Sequence, residues 1–178
     1  MIEVTRIFLP LVLKSKGRVV NMSSVVGRYA MGSAPYAVSK FAVEAYSDVL
    51  RLEMYRLGVT VHIIEPGYFI TSISDPDRIC NTYVAQYNKI PADLQKYYGE
   101  QYVEDAKKML RNGLEKFSSP KVELVVDAYV HALTAKYPKC RYLVGNDAKY
   151  SLRFLWNLPE WLSDYLLSKS RPLPCAER

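Results

Sequence analysis

The sequence predicts an α/β fold in which a parallel sheet is flanked by helices, and three observations support this. Two short runs of β-branched and apolar residues, at positions 18–22 and 59–64, predict strands that are buried on both faces. No helix breaker interrupts residues 35–57 between them, and Gly58 follows as a natural helix stop. A helix that connects two strands in this way returns the chain to the same edge, so the strands run parallel.

Other elements follow from the same patterns. We predict further helices over residues 2–13, 101–114 and 122–134, and a third short strand over residues 141–144. Pro10 lies inside the first helix and is expected to kink it. The charged, tyrosine-rich residues 72–120 are interpreted as an excursion over the sheet that forms a substrate lid. Residues 148–178 are predicted to form an amphipathic tail. The whole chain, residues 1–178, is interpreted as one domain.

Composition excludes several function classes. The 178 residues are 49% hydrophobic and 24% charged, as in ordinary soluble domains. The net charge of +6 is scattered along the chain, so we expect no nucleic-acid binding. The three cysteines and two histidines have no ligand spacing, and no metal site is predicted. No apolar run reaches the roughly 18 residues of a membrane span, and no targeting segment is recognised.

The chemistry-bearing motif combines a polar strand end with a helix start. Ser23 and Ser24 follow the first strand, and Tyr36 and Lys40 are one turn apart on the long helix. Free tyrosine is a poor base at neutral pH, but an ammonium ~4 Å away favours the phenolate by up to ~4 kcal/mol. We therefore expect Tyr36 to exchange a proton with an alcohol whose oxygen Ser24 holds.

The spacing alone is not diagnostic, because Tyr165 and Lys169 repeat it in the tail without a preceding Ser-Ser strand end. We interpret that second pair as structural. The first pair is specific because a strand, a glycine-containing loop and a helix start surround it. The competing interpretation is an ordinary amphipathic helix whose Tyr36 and Lys40 face solvent.

With these motifs, the chain resembles the short-chain dehydrogenase/reductase family. The matching segments are Gly-Arg-Val-Val-Asn-Met-Ser-Ser, Tyr-Ala-Val-Ser-Lys and Glu-Pro-Gly-Tyr-Phe-Ile-Thr, which begin at positions 17, 36 and 65. The resemblance implies a Rossmann-type, doubly wound sheet. It also implies that Ser24 polarises the substrate, Tyr36 is the acid/base and Lys40 activates it. The cofactor would be contacted by five residues: Tyr36, Lys40, Pro66, Gly67 and Thr71.

Within the family, the resemblance extends to the D-3-hydroxybutyrate and retinol/hydroxysteroid dehydrogenase branch, through residues 43–48, 52–59 and 131–134. It implies an oxidoreductase that moves a hydride between a secondary alcohol or hydroxy acid of the D-3-hydroxybutyrate type and NAD or NADP. A retinol or hydroxysteroid dehydrogenase is the alternative. A small-molecule alcohol or ketone would be the substrate, and the helix over residues 35–57 would join subunits of a homo-oligomer.

The family's glycine-rich, pyrophosphate-binding turn is absent from these 178 residues, so the expected sheet is the C-terminal half of a Rossmann-type domain. We expect this chain alone to bind NAD weakly or not at all and to be inactive as an enzyme. A truncated, non-catalytic fragment that acts as an interaction partner is a further alternative. The expected location is intracellular, in the mitochondrion or endoplasmic reticulum, with contact to a membrane surface through the tail.

Overall fold

A computed structural model describes residues 1–169 and 171–175. Its three strands are Arg18–Met22 (β1), Thr60–Pro66 (β2) and Arg141–Val144 (β3). They form one parallel sheet in the order β1-β2-β3, which confirms the predicted α/β class. β2 runs two residues beyond the predicted end at Ile64, through Pro66. The predicted tail includes positions 170 and 176–178, which lie outside the described residues.

Eight α-helices lie within the described residues. They are α1 (Ile2–Ser15), α2 (Ala34–Met54), α3 (Pro76–Tyr87), α4 (Ala92–Tyr98), α5 (Glu100–Phe117), α6 (Glu123–Thr134), α7 (Arg153–Leu155) and α8 (Glu160–Ser168). Short 3-10 turns occupy Val25–Gly27, Tyr55–Leu57 and Ser72–Ser74, and a π-helical turn occupies Asp147–Leu152. Pro10 lies inside α1, which continues beyond it to Ser15. α2 and the following turn together cover the predicted long helix, and Gly58 ends it with a φ of 77°.

Contacts divide the chain into two compact units. The first comprises Met1–Gly67 with Lys121–Trp156 and contains all three described strands. The second comprises Tyr68–Pro120 with Asn157–Arg178 and contains the residues predicted to form a lid. The interpretation of the whole chain as one domain stays a prediction.

Helices cover both faces of the sheet in the first unit. Val61 of β2 is fully buried in a cluster with Leu50 and Met54 of α2. Side chains alternate along a strand, so the residues paired at positions 18 and 60 point to the opposite face. There the Arg18 guanidinium donates to the carbonyl of Ala132, in α6, at 2.8 Å. α2 therefore lies on one face and α6 on the other, as a doubly wound sheet requires.

β1 is less buried than the sequence predicts. Val19 and Val20 are half-buried, whereas Val61 and Ile63 of β2 are fully buried. The reason is the strand order, since β2 pairs on both sides and β1 pairs only with β2 among the described residues. Asn21 is the buried polar residue of β1, and its amide donates to the hydroxyl of Ser47 in α2 at 2.9 Å.

Helices α3, α4 and α5 dominate the second unit. Arg111 of α5 donates to Asp77 of α3 at 2.6 Å. A cleft of about 540 Å³ lies between these helices, lined by residues that include Tyr87, Gln95 and Val103. In the same unit, α8 exposes Trp161 and Tyr165. Within the described residues, no helix combines the length and apolarity needed to cross a bilayer. The predicted membrane contact of the tail stays a prediction.

Gly27 marks the closest approach of α2 to the end of β1. A Cβ atom there would lie 2.8 Å from the Lys40 carbonyl oxygen and 2.9 Å from Glu44 Cγ. We therefore expect Gly27→Ala to lower the free energy of unfolding by about 1–3 kcal/mol, since the helix backbone must shift. Urea denaturation of the purified chain measures this.

Gly113→Ala is the matched control for that substitution. Gly113 lies inside α5, and a Cβ there meets nothing within 4 Å. Alanine should stabilise the helix at this position by about 0.5–1 kcal/mol. If both variants gained stability, the close approach at Gly27 would be disproved.

Candidate active site

Polar residues gather at the carboxyl edge of the sheet, where each strand ends. The backbone N–H of Ser23 donates to the Ile64 carbonyl at 2.8 Å, which carries the β1–β2 pairing past the end of β1. The N–H of Gly67 likewise donates to the Val144 carbonyl at 2.8 Å. Residues that follow parallel strands meet at this edge, where open α/β sheets bind ligands.

Ser24 is held at this edge between a turn and a neighbouring strand. Its hydroxyl oxygen accepts from the N–H of Val26 at 3.2 Å, which caps the turn Val25–Gly27. The same hydroxyl donates to the carbonyl of Pro66 at 3.4 Å. Ser24 is 7% exposed, so its position is set by β1 and β2 rather than by solvent. The structure thus brings together Ser24 and Pro66, which the sequence separates by more than forty positions.

Tyr36 and Lys40 lie on the first two turns of α2. Ser33 precedes this helix in an extended conformation, and a proline in its first turn favours the start there. Tyr36 is 37% exposed, and the Lys40 ammonium lies 5.5 Å from the centroid of its ring. The Lys40 Nζ also donates to the carbonyl of Met22 at 3.5 Å. Lys40 therefore joins Tyr36 to the end of β1, two residues before Ser24.

The environment of Lys40 has two opposing effects on its charge. Burial lowers the pKa of the Lys40 ammonium, and the carboxylate of Glu44, one turn further along α2, raises it. The side chain is half-buried, so it is not free in bulk solvent. An ammonium has three donors, and the Met22 carbonyl takes one of them. Hydroxyl groups of a sugar fit the remaining donors.

Pro66 and Gly67 end the first segment of the first unit, and Pro66 accepts the hydrogen bond from Ser24. A Cβ atom on Gly67 would overlap the carboxylate of Asp147, so a larger residue here would displace that side chain. Thr71 belongs to the second unit, where its N–H donates to the hydroxyl of Ser74 at 2.9 Å. The cofactor roles of Pro66, Gly67 and Thr71 stay predictions.

Sequence reasoning missed an ionic cluster beneath Lys40. The Arg141 guanidinium on β3 donates to Glu44 of α2, to Glu65 of β2 at 2.5 Å and to Asp48 of α2 at 2.5 Å. Glu44 and Glu65 are 5% and 3% exposed. A usable signal was the spacing of Tyr36, Lys40 and Glu44, which places Glu44 on the same helix face. We name Arg141, Glu44, Glu65 and Asp48 the Arg141 cluster.

Glu65 is the titratable member of the Arg141 cluster. Burial, together with the nearby Glu44 carboxylate, raises the pKa of Glu65 to about 7, and the contact with Arg141 limits the rise. Glu65 therefore keeps its proton in the folded chain at pH values where the unfolded chain has lost it. The sign follows from linkage: this raised pKa makes the folded chain less stable as the pH rises from about 4.5 through 7.

The second Tyr-x-x-x-Lys pair has a different setting. Lys169 lies 4.2 Å from the ring centroid of Tyr165, closer than Lys40 lies to Tyr36. This pair sits on α8 in the second unit, which contains none of the three described strands.

The two histidines make local hydrogen bonds: His62 with the Lys139 carbonyl at 2.7 Å and His131 with the Tyr142 hydroxyl at 2.8 Å.

Comparisons with known proteins point to one family. The model of the short chain dehydrogenase family matches residues 1–79. The 17-beta-hydroxysteroid dehydrogenase type 6 of Bos taurus is 40% identical over 98% of this chain and 55% of its own length. Retinol dehydrogenase 16 of Mus musculus is 44% identical over 94% of this chain and 52% of its own. The chain spans about half the length of the curated relatives it matches.

Solved structures share the fold. A short-chain dehydrogenase from Streptomyces avermitilis superposes with a TM-score of 0.57 at 23% identity, over 93% of this chain and 53% of its own. A short-chain dehydrogenase from Burkholderia cenocepacia, in complex with NADP, superposes with a TM-score of 0.52 at 20% identity. The match covers 92% of this chain and 52% of that one. The chain belongs to the short-chain dehydrogenase/reductase family. Within it, the chain is similar to the retinol and hydroxysteroid dehydrogenases.

The raised pKa of Glu65 predicts a pH-dependent effect of Glu65→Gln. Glutamine resembles the protonated acid and cannot ionise, so the variant escapes the loss of stability that the wild type suffers as Glu65 ionises. We expect it to exceed the wild type at pH 8 by at least ~1.4 kcal/mol, which is one pKa unit, and to match it near pH 4.5. Urea unfolding at several pH values measures this.

The exposed Glu53, also on α2, provides the control, and Glu53→Gln should follow the wild type at every pH. A Glu65→Gln variant with an unchanged pH slope would show that Glu65 is ionised throughout and would contradict the raised pKa.

Proposed function

We propose that this protein is an oxidoreductase that transfers a hydride between an alcohol and a nicotinamide cofactor. The observation that carries the proposal is that Lys40 contacts both the Tyr36 ring and the carboxyl edge of the sheet, where Ser24 also lies. Lys40 is anchored there to the Met22 carbonyl, and Ser24 to the Pro66 carbonyl. This edge is where parallel α/β sheets bind ligands, and the family membership supports the same reaction class.

The chain's own residues account for the proton in this reaction. The Ser24 hydroxyl hydrogen-bonds the substrate oxygen and directs it to Tyr36, whose hydroxyl takes the proton from an alcohol or returns it to a carbonyl. The Lys40 ammonium, over the Tyr36 ring, stabilises the negative charge that forms on the phenol oxygen. A bound nicotinamide would accept or supply the hydride. Tyr36, Lys40, Pro66, Gly67 and Thr71 would hold it, and the choice between NAD and NADP is open.

For the substrate, a retinoid or hydroxysteroid alcohol is favoured over D-3-hydroxybutyrate. The names of the relatives refer to 17-beta-hydroxysteroids and retinol. D-3-hydroxybutyrate is the second candidate and is tested in the same assay.

Tyr36→Phe removes the hydroxyl that transfers the proton. In the full-length protein, supplied with NAD or NADP and with retinol, a hydroxysteroid or D-3-hydroxybutyrate, we expect kcat to fall by about 10²–10⁴-fold. Tyr165→Phe makes the same change in the second Tyr-x-x-x-Lys pair and should leave kcat near the wild-type value. Turnover is followed by nicotinamide absorbance. Equal rates for Tyr36→Phe and the wild type would reject the mechanism.

We also propose that copies of this chain associate through α2. The helix face opposite the sheet carries exposed apolar side chains at near-helical spacing: Val38, Phe41, Val49 and Leu52. The same side of the first unit carries α1, whose Ile7 and Leu11 are also exposed. Continuous apolar surfaces of this kind mark sites of protein association.

Phe41→Glu places a charge in the middle of that surface, and we expect it to convert a dimer into a monomer, as read by light scattering after size exclusion. Leu133→Glu, on α6 at the other face of the sheet, is the control and should stay dimeric. Dissociation by Leu133→Glu alone would place the interface on α6 instead.

A further inference from the structure

Glu44 occupies an unusual position for a carboxylate. It follows Lys40 by four residues, so the two side chains lie on the sheet-facing side of α2 with Tyr36. Glu44 is 5% exposed, and Arg141 contacts its Oε2. Its other oxygen, Oε1, is buried and has no hydrogen-bond partner among the described residues. A buried carboxylate oxygen without a partner is costly and needs a physical explanation.

The charges around Glu44 come from every element packed against it. Arg141 approaches from β3, Glu65 from β2 and Asp48 from the next turn of α2. Arg28, which follows the first 3-10 turn, acts on Glu65, and Lys40 lies on the same helix face as Glu44. Arg51 of α2 also pairs with Asp48, at 3.2 Å, so two guanidinium groups face the three carboxylates of the Arg141 cluster. The raised pKa of Glu65 keeps that carboxyl protonated below about pH 7.

The same contacts fix the position of the helix. Arg141 joins β3 to Glu44 of α2 and to Glu65, and Glu65 directly precedes Pro66, whose carbonyl receives the Ser24 hydroxyl. Movement of α2 along the sheet would separate Glu44 from Arg141. The helix that carries Tyr36 and Lys40 is therefore tied to the strand that positions Ser24.

We propose that Glu44 is a positioning residue for Lys40: Arg141 holds it against β2, so that its carboxylate lies one helical turn from Lys40 and favours the charged ammonium. Burial has the larger effect and lowers the pKa of the Lys40 ammonium, and only the charged form stabilises a phenolate. The Glu44 carboxylate opposes that effect from one turn away. A role of Glu44 in catalysis rests on the proposed function, but its effect on the charge of Lys40 does not.

The test measures the charge state of Lys40 in the full 178-residue chain. Lysine is labelled with 13C, the Lys40 Cε resonance is assigned with Lys40→Arg, and the resonance is followed from pH 3 to 12. Glu44→Gln should lower the pKa of Lys40 by about one unit, the usual effect of losing a nearby opposite charge. Glu53→Gln, an exposed change on the same helix, should leave it unchanged.

Two further measurements make the outcome decisive. Glu44→Asp keeps the charge, so the pKa of Lys40 should stay near the wild-type value, and an equal fall in both Glu44 variants would overturn the proposal in favour of packing. If Glu44→Gln does not fold, the wild-type spectra decide. There the Lys40 Cε resonance should shift as the carboxyls of the Arg141 cluster titrate, and a flat signal below pH 8 would overturn the proposal.

Failure of the proposed function would look different. If Tyr36→Phe kept full turnover while Glu44→Gln still lowered the pKa of Lys40, Glu44 would control the charge of a lysine that is not catalytic. If Tyr36→Phe abolished turnover while Glu44→Gln left the pKa of Lys40 unchanged, the proposed reaction would be supported and the role of Glu44 would be disproved.

Discussion

The contact between the Arg141 guanidinium and two buried carboxylates determines how the sheet edge is built. Glu44 and Glu65 come from α2 and β2, and neither lies near Arg141 in sequence. Removing Arg141 would leave the buried Glu44 carboxylate without its cation, and breaking a buried ion pair in this way costs about 3–5 kcal/mol. The relative position of α2 and β2 is therefore set by charge as well as by apolar packing around Leu50 and Val61.

The contact of Arg141 with α2 affects the candidate site because Glu44 lies on the same helix face as Tyr36 and Lys40. Tyr36, Lys40 and Glu44 follow one another at four-residue intervals, from the carboxyl edge of the sheet toward its interior. Exposure falls along the same line: Tyr36 is exposed, Lys40 half-buried and Glu44 buried. Lys40 therefore lies between the solvent-accessible phenol of Tyr36 and the buried carboxylate of Glu44.

The sequence was sufficient to predict the three strands and the long helix, but not helices α3, α4 and α8 or the Arg141 cluster. β-branched runs and the glycine after α2 locate β1, β2 and the long helix within one or two residues, because these signals are local. The contact of Arg141 with Glu44 depends on the register that pairs Ile63 with Arg141, which no local pattern encodes. The half-burial of β1 was missed for the same reason, since strand order decides which strand has two neighbours.

The two Tyr-x-x-x-Lys pairs show why the surroundings matter more than the spacing. Lys169 lies closer to the ring of Tyr165 than Lys40 lies to that of Tyr36, so proximity of the cation does not separate the pairs. The difference is that Lys40 also reaches the Met22 carbonyl, which places a charged group beside the Ser24 strand end. An exposed pair such as Tyr165 and Lys169 has its charge screened by water. The half-buried position beside a strand end is what distinguishes Lys40 from Lys169.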